Sequence, residues 1–539
     1  MILSLLHTCK TLFSLAFLPF YTTSTGSVAS KEITIDVPHV IPPLKQWTSS
    51  PAYFVLNATS RVLLDQNSAA QLQATAEAFA EDVQQLLDQE LAVCVGTSQD
   101  SRAGDIVLTL DASVATSNKE AYVMEVNERV VIRAGSEHGV FYGTRTLLQL
   151  LKQNTSLPGG IACDWPDYPE RSLMVDMGRK YFSLPWLESH IRELAYLKYN
   201  YFHFHVSDNK GFRLQSEQHP EIVSPQHYTK ADIQALITLA QRYHVTIVPE
   251  IDMPGHMDTI LAAHPELQLN NAQGERCSGD IDLAQEASYR LMQDILEEFL
   301  PLFPGPYWHI GADEYLMYTG YEPYPQLAAF ARQHYGAQAS ARDTYLGFVN
   351  WANAIVRAHG KVTRVWNDGL HSADAIPLDN NMIYEHWTAS SDSLTPQEIV
   401  NQGMPIMNGN GSGDLLYYVL TSKGRRTWKA TAQEIYEQFD PHVFSGGGEL
   451  EPRHPFNLGS KLHVWCDYPE VESEQEVASG IMGPLRALAL KNWGASTDKD
   501  DYASFVALIE QVGHAPGYAL AQPVDATTVL DMSIDEQLQ

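Results

Sequence analysis

The sequence predicts an α/β protein, a (β/α)8 TIM barrel preceded by a small α/β domain, and three observations carry that expectation. From about residue 166, short apolar runs alternate with amphipathic helical stretches about eight times over roughly 330 residues, the repeat and size of such a barrel. Before that point, short alternating strands interleave with only two helical stretches. The Pro- and acid-rich run PDYPE around Tyr168 reads as the linker between the two regimes.

The elements follow in chain order. MILSLLHTCKTLFSLAFLPFYTTSTGSVAS opens with Lys10, continues through an apolar run over residues 11–21 and ends in Val28-Ala29-Ser30. This is the pattern of a secretory signal peptide, too short to span a bilayer, so residues 1–30 are expected to be a leader and the protein secreted. Residues 31–165 hold the alternating runs EITIDV, YFVLNAT, DIVLTLD and YVMEVNERVVIRA, with helical stretches at 70–90 and 139–151. Residues 166–498 carry the barrel strands SLMVDMG, YFHFHVSD, VTIVPEID, YWHIGADE, KVTRVWND, MIYEHW, PIMNGN and LHVWCD. Helices are expected near 184–197, 230–243, 287–300, 342–359 and 475–490, and residues 499–539 add one more helical stretch and a tail.

Composition narrows the function classes. With 65 Asp+Glu against 35 Lys+Arg the formal charge is -30, which repels phosphate backbones and anionic lipid, so nucleic acid is not an expected partner. No run after the leader is long and apolar enough for a membrane span. Sequons begin at Asn57, Asn154 and Asn410, in keeping with export through a glycosylating pathway. Beyond Cys9, Cys94, Cys163, Cys277 and Cys466 are widely spaced and lack the C-x-x-C pairing of a zinc or redox site; their disulfide connectivity is left open. Homodimer formation is compatible with the sequence.

In this fold reactive groups gather at the carboxyl ends of the strands. Those ends carry Asp176 and Arg179, His205 and Asp208, Glu250 and Asp252, Asp313 and Glu314, Trp366 and Asp368, His386 and Trp387, and Trp465 and Asp467. Tryptophan faces pack on sugar C–H faces and methyl groups while carboxylates bind hydroxyls, so a concave site of this composition favours carbohydrate.

The adjacent pair Asp313-Glu314 is the chemical puzzle. An Asp-Glu pair is commonly a solvated turn or a first helical turn, and glycoside hydrolysis usually sets two carboxyls on opposite sides of the scissile bond. Neighbouring residues fit that arrangement badly. A consistent alternative lets the substrate's 2-acetamido oxygen attack the anomeric carbon, forming an oxazolinium ion. Glu314 then protonates the leaving oxygen, and Asp313 orients the acetamido group and stabilises the charge developing on its N–H. A protonated Glu314 beside an ionised Asp313, and activity in mildly acidic solution, are expected.

At this point the chain resembles the family 20 glycoside hydrolases, the β-N-acetylhexosaminidases. HIGADE is similar to that family's His-x-Gly-Gly/Ala-Asp-Glu signature, VPEIDMPGHM to its Pro-Glu-Ile-Asp-x-Pro-Gly-His segment, FHFHVSDNKGFRLQS to its His-x-His region, and GVFYGTRTLLQLL to the end of its small N-terminal domain. The resemblance implies Glu314 as acid/base, Asp313 as the acetamido-positioning residue and Arg171 as the binder of sugar hydroxyls. It implies Trp366, Trp387 and Trp465 as an aromatic box, Tyr417 or Tyr418 as donor to the acetamido carbonyl, and His256 with Asp252 as a supporting polar pair. Asp208 and Asp467 are expected to line the sugar site, with His205 in support. No metal or organic cofactor is implied.

Two departures stand at the outer hydroxyls. The family's Tyr-Leu-Asp segment is Tyr417-Tyr418-Val419-Leu420 here, and its Glu two residues after the last tryptophan is Asp467. A lacto-N-biosidase or a 6-sulfo-GlcNAc-releasing relative is therefore the alternative within the family, Arg171 favouring single-sugar release. From other classes, His203-x-His205 with Asp252, His256 and His386 could assemble a metal-dependent hydrolase, and an aromatic box could serve a non-catalytic sugar-binding protein.

Overall fold

The computed structural model describes residues 37–520 apart from 115–117, 371–374, 391–392, 422–428 and 495–500. The expected leader, the run EITIDV except Val37, and the tail beyond residue 520 lie outside the described residues.

The first domain is a seven-stranded mixed sheet in the order Gln46–Val55, Ser156–Asp164, Tyr122–Val126, Val130–Ala134, Ile106–Leu110, Arg61–Asp65, Ala92–Gly96. The run YVMEVNERVVIRA folds as an antiparallel hairpin around Asn127–Arg129. Arg61–Asp65 and Ala92–Gly96 went unread in the sequence: they pair in parallel and RVLLD has three buried residues in a row, so no alternation marks it. Helix Glu137–Gln153 buries thirteen of its seventeen residues. Such a helix needs cover on two sides, and it has the sheet on one and the barrel on the other, where Gln149 Nε2 donates to Tyr196 O at 3.0 Å.

The second domain is a closed barrel of eight parallel strands: Glu170–Asp176, Tyr201–Asp208, Thr246–Met253, Tyr307–Gly311, Val362–Trp366, Ile383–His386, Ile406–Asn408 and Asn457–Trp465. The first strand pairs with the second and with the last, which closes the ring. Each lies where a strand is expected. The seventh position is split: Ile406–Asn408 pairs with the beginning of the last strand, and a further strand, Tyr417–Val419, pairs with its end. Helices pack outside, several started by reciprocal caps; Thr229 Oγ1 accepts from Asp232 N at 3.1 Å while Asp232 accepts from Thr229 N at 2.9 Å.

The barrel interior is charged rather than filled with branched apolar side chains. Arg364 bridges Glu385 (2.6 Å) and Glu170 (2.8 Å), and Lys461 pairs with Glu385 and meets His203 Nδ1 at 2.7 Å. Buried charges persist only when mutually satisfied. This network is a rigid floor below the strand ends.

Three expectations change. Asn410 is buried, its amide donating to Trp387 O (2.9 Å) and Asp414 Oδ1 (2.8 Å), so that sequon is not an accessible glycosylation site, whereas Asn57 and Asn154 are exposed. Cys94, Cys277 and Cys466 are free thiols, so no disulfide joins any two of them. Arg171 stands at the amino end of the first barrel strand, fully buried, where Glu120 of the first domain pairs with it at 2.9 Å and it donates to Lys198 O and Tyr168 O. That is the face opposite the strand ends; Arg171 joins the domains and cannot bind sugar.

Candidate active site

The fourth strand stops at Gly311, and the backbone then enters the left-handed region at Gly311 (φ 71°), Ala312 (φ 71°) and Glu314 (φ 55°). This twist cancels strand alternation and turns both acids to one side. His256 Nε2 is 3.3 Å from Glu314 Oε2 and 3.6 Å from Asp313 Oδ2, so a single imidazole nitrogen touches both carboxyls. His256 itself has φ 55° just beyond the third strand. Gly311 is required sterically: a Cβ there would lie 1.7 Å from Asp252 Oδ1.

Behind His256 a chain of contacts descends into the barrel. His256 Nδ1 is 3.2 Å from Asp208 Oδ1, Asp208 Oδ2 is 2.8 Å from His205 Nε2, and His205 Nδ1 is 2.6 Å from Glu250 Oε2. Glu250 also meets His203 Nε2 (2.9 Å) and His309 Nδ1 (3.0 Å), and its Oε1 accepts from Trp366 Nε1 at 2.7 Å. The imidazoles of His203 and His205 are thus committed to Glu250, Asp208 and Lys461, and His386 packs edge-on against Phe444 away from them. Of the residues offered for a metal-dependent hydrolase, His205 and Asp252 stand together with Glu250, their ligating atoms within 4.8 Å of one another, while His386 is turned to Phe444.

The expected pairing of His256 with Asp252 is replaced by pairing with Asp208. Asp252 is buried, neither carboxylate oxygen has a hydrogen-bond partner among the described residues, and burial together with the neighbouring Asp313 pushes its pKa well up. It lies directly beneath Gly311.

Arg179, rather than Arg171, stands at the strand ends. It is 2.9 Å from Asp208, 3.0 Å from Asp176 and 3.8 Å from Asp467, with its guanidinium 5.5 Å from the Trp465 ring centroid. Its place at a strand end was the available signal. Asp368 is the other member missing from the expected set: it accepts from Glu314 N (2.7 Å) and Trp387 Nε1 (2.7 Å), tying one wall of the cleft to the acid pair. Burial and the Asp313 charge push its carboxyl up to about 7.

The aromatic side chains assemble partly as expected. Trp366 and Trp465 have centroids 5.9 Å apart, and Tyr417 packs 6.4 Å from Trp465 and 5.3 Å from His463. Tyr418 points the other way, its hydroxyl donating to Glu472 at 2.8 Å under helix Glu474–Trp493, because neighbours on Tyr417–Val419 alternate. Val419, on the Tyr417 side of that strand, is the Cα partner of Trp465 and places an apolar side chain where the resemblance implies an acid.

The electrostatics of the free cleft shift the two acids in directions opposite to those expected. Burial opposes ionisation of Glu314, but the His256 hydrogen bond and charge outweigh it and hold its carboxyl below the usual range. Asp313 is deeper, with side-chain exposure of 11% against 25% for Glu314; burial and the Glu314 charge raise it despite His256. Burial disfavours a charged His256, yet Asp208, Asp313 and Asp252 raise it well above an ordinary histidine, so it stands as a cation.

The barrel's strand ends thus present two acids on one side, an aromatic wall and an arginine pinned by carboxylates, where such folds carry their binding and reactive groups. The family model described as "Glycosyl hydrolase family 20, catalytic domain" matches residues 168–494, and "Glycosyl hydrolase family 20, domain 2" matches residues 37–165; the chain belongs to glycoside hydrolase family 20. Among its relatives are a lacto-N-biosidase of Bifidobacterium bifidum, 27% identical over 91% of this chain and 43% of that one, and a β-hexosaminidase of Porphyromonas gingivalis, 24% identical over 87% and 62%. The chain therefore spans less than two thirds of the length of either. The solved exo β-N-acetylglucosaminidase of Vibrio harveyi superposes with a TM-score of 0.73 at 21% identity, covering 90% of this chain and 78% of that one, a likeness of fold.

Proposed function

We propose that the protein is an exo-acting, retaining glycoside hydrolase that removes terminal β-linked N-acetylhexosamine with the help of the substrate's own acetamido group. One observation carries this reading: His256 Nε2 lies within 3.6 Å of both Asp313 and Glu314, so the two acids approach from one side and cannot straddle a glycosidic bond. The nucleophile must come from elsewhere, and Asp176, Asp208 and Asp467 are all engaged by Arg179.

Binding shifts both acids the other way. An acetamido N–H donated to Asp313 stabilises its anion, and the departing sugar covers Glu314, strips its water and raises its pKa. Glu314 then donates a proton to the glycosidic oxygen while the acetamido carbonyl oxygen attacks the anomeric carbon. Tyr417 stands on the same side as Asp313, whose charge helps raise the hydroxyl's pKa after burial, and so remains a donor to that carbonyl. Water opens the oxazolinium ion with Glu314 now acting as base, and configuration is retained. No metal enters these steps.

The second reading is release of a disaccharide. The short Asp467, 44% exposed in its side chain and 3.8 Å from Arg179, leaves the outer rim open, and the lacto-N-biosidase relative supports it. Hydrolysis of GlcNAc, GalNAc, 6-sulfo-GlcNAc and lacto-N-biose chromogenic glycosides side by side separates the readings. Glu314→Gln should cut turnover of poor leaving groups about 10²- to 10⁴-fold with binding retained; full activity would remove Glu314 from the acid's role.

A further inference from the structure

Away from the cleft, we infer that His219, Glu221 and His264 form a binding site for one divalent transition-metal ion of the zinc class, independent of the hydrolytic reading above. The tripeptide His-Pro-Glu occurs at 219–221 and again at 264–266, each time leading into a short 3-10 turn, Pro220–Ile222 and Pro265–Leu267. The loops after the second and third barrel strands bring the two copies together, with imidazole centroids 6.0 Å apart and planes at 80°.

Glu221 Oε1 is 3.0 Å from His219 Nδ1 and 3.1 Å from His264 Nε2. Ligands about 2.0–2.1 Å from a tetrahedral zinc lie roughly 3.3–3.4 Å from one another. Both nitrogens already stand near that spacing from the carboxylate oxygen, and the three ligating atoms lie within 4.8 Å of one another. Behind each ring is another carboxylate: Asp294 Oδ2 is 3.4 Å from His219 Nε2, and Glu266 Oε1 is 3.6 Å from His264 Nδ1. A carboxylate behind a ligating imidazole fixes its tautomer and raises its basicity.

The hydrogen-bond count points the same way. A neutral imidazole has one N–H, yet each ring faces two carboxylates, so a neutral ring donates to one of them and leaves the other to solvent. A cation among the inner atoms resolves this: it takes the two inner nitrogens and Glu221, and each remaining N–H serves Asp294 or Glu266. Two nitrogens, one oxygen and room for water suit zinc, whereas magnesium and calcium take oxygen ligands. Helix Asp258–Ala263 runs from just after His256 to His264, so the ion would fasten the segment bearing His256 to the preceding loop.

The full chain, stripped with chelator, is titrated at neutral pH with Zn²⁺ by calorimetry and with Co²⁺ by visible absorption. His244→Gln serves as control, because Glu137, His138 and His244 form another partly exposed histidine-carboxylate group. Wild type and His244→Gln should bind one equivalent and give the intense bands of four-coordinate cobalt. H219Q/H264Q should lose that equivalent, and Asp294→Asn should weaken it about tenfold. Should the double variant not fold, as judged by its metal-free melt, His264→Gln alone decides by the same two titrations. Zinc binding undiminished in the histidine variants, or no binding in wild type, overturns the site.

Discussion

His256 meets both acids through one atom, and Asp208 behind it favours its charged form. Its charge lowers the carboxyls of Glu314 and Asp313 alike. The sign of a substitution follows. His256→Asn removes a positive charge, both carboxyls rise, and both limbs of the bell-shaped kcat/KM profile move to higher pH, with a lower maximum. A pH series on a chromogenic N-acetylglucosaminide checks this; limbs that stay in place or move to lower pH would show that the imidazole does not govern the pair. Positions were legible where chemistry and strand ends agree, as for Asp313 and Glu314, which meet at His256, and Trp366 and Trp465, whose rings lie 5.9 Å apart. They were not legible where two like residues compete. Arg171 and Arg179 lie at opposite ends of one strand, and Tyr417 and Tyr418 are neighbours, so only register and the direction of the strand decide which side chain reaches the cleft.

At the scale of elements, all eight barrel strands could be read because each is a short apolar run, seven of them ending in reactive residues. The split seventh position could not, since Tyr417–Val419 is too short to show a period and depends on pairing with a distant strand. The turn after Tyr307–Gly311 is the element on which the chemistry depends. Strand alternation alone would have sent Asp313 and Glu314 to opposite faces; the left-handed residues Gly311, Ala312 and Glu314 bring them together. Gly311→Ala pushes a methyl group into Asp252 Oδ1 and strains φ, which should destabilise the protein on the order of 3 kcal/mol. Activity of the folded fraction should fall as well, because the acid pair is displaced. Denaturant melts and single-turnover rates read both effects, and a variant with native stability and rate would mean that the turn is not needed.

For the whole molecule, the first domain supports the barrel from the face opposite the cleft. Asp164 accepts from Tyr122 Oη (2.7 Å) and Trp493 Nε1 (2.8 Å) and pairs with Lys198 (2.9 Å), while Arg171 reaches across to Glu120. These are long-range contacts between residues up to 329 positions apart, and nothing in local sequence announces them. They separate two arginines by function. Arg171→Met should cost about 3 kcal/mol of stability by leaving Glu120 unpaired, with KM close to wild type. Arg179→Met should raise KM and lower kcat/KM with a smaller loss of stability. Thermal melts beside steady-state kinetics test this, and the reverse pattern would return Arg171 to the sugar site.

In the proposed mechanism the substrate's N-acyl oxygen is the nucleophile, oriented by Asp313 while Glu314 supplies the proton. Rates of hydrolysis across glycosides bearing N-acetyl, N-fluoroacetyl, N-difluoroacetyl and N-trifluoroacetyl groups test it most directly. Each added fluorine withdraws charge from the attacking oxygen, so log kcat/KM should fall steeply and steadily along the series. A flat series would mean that the acetamido group takes no part in the attack.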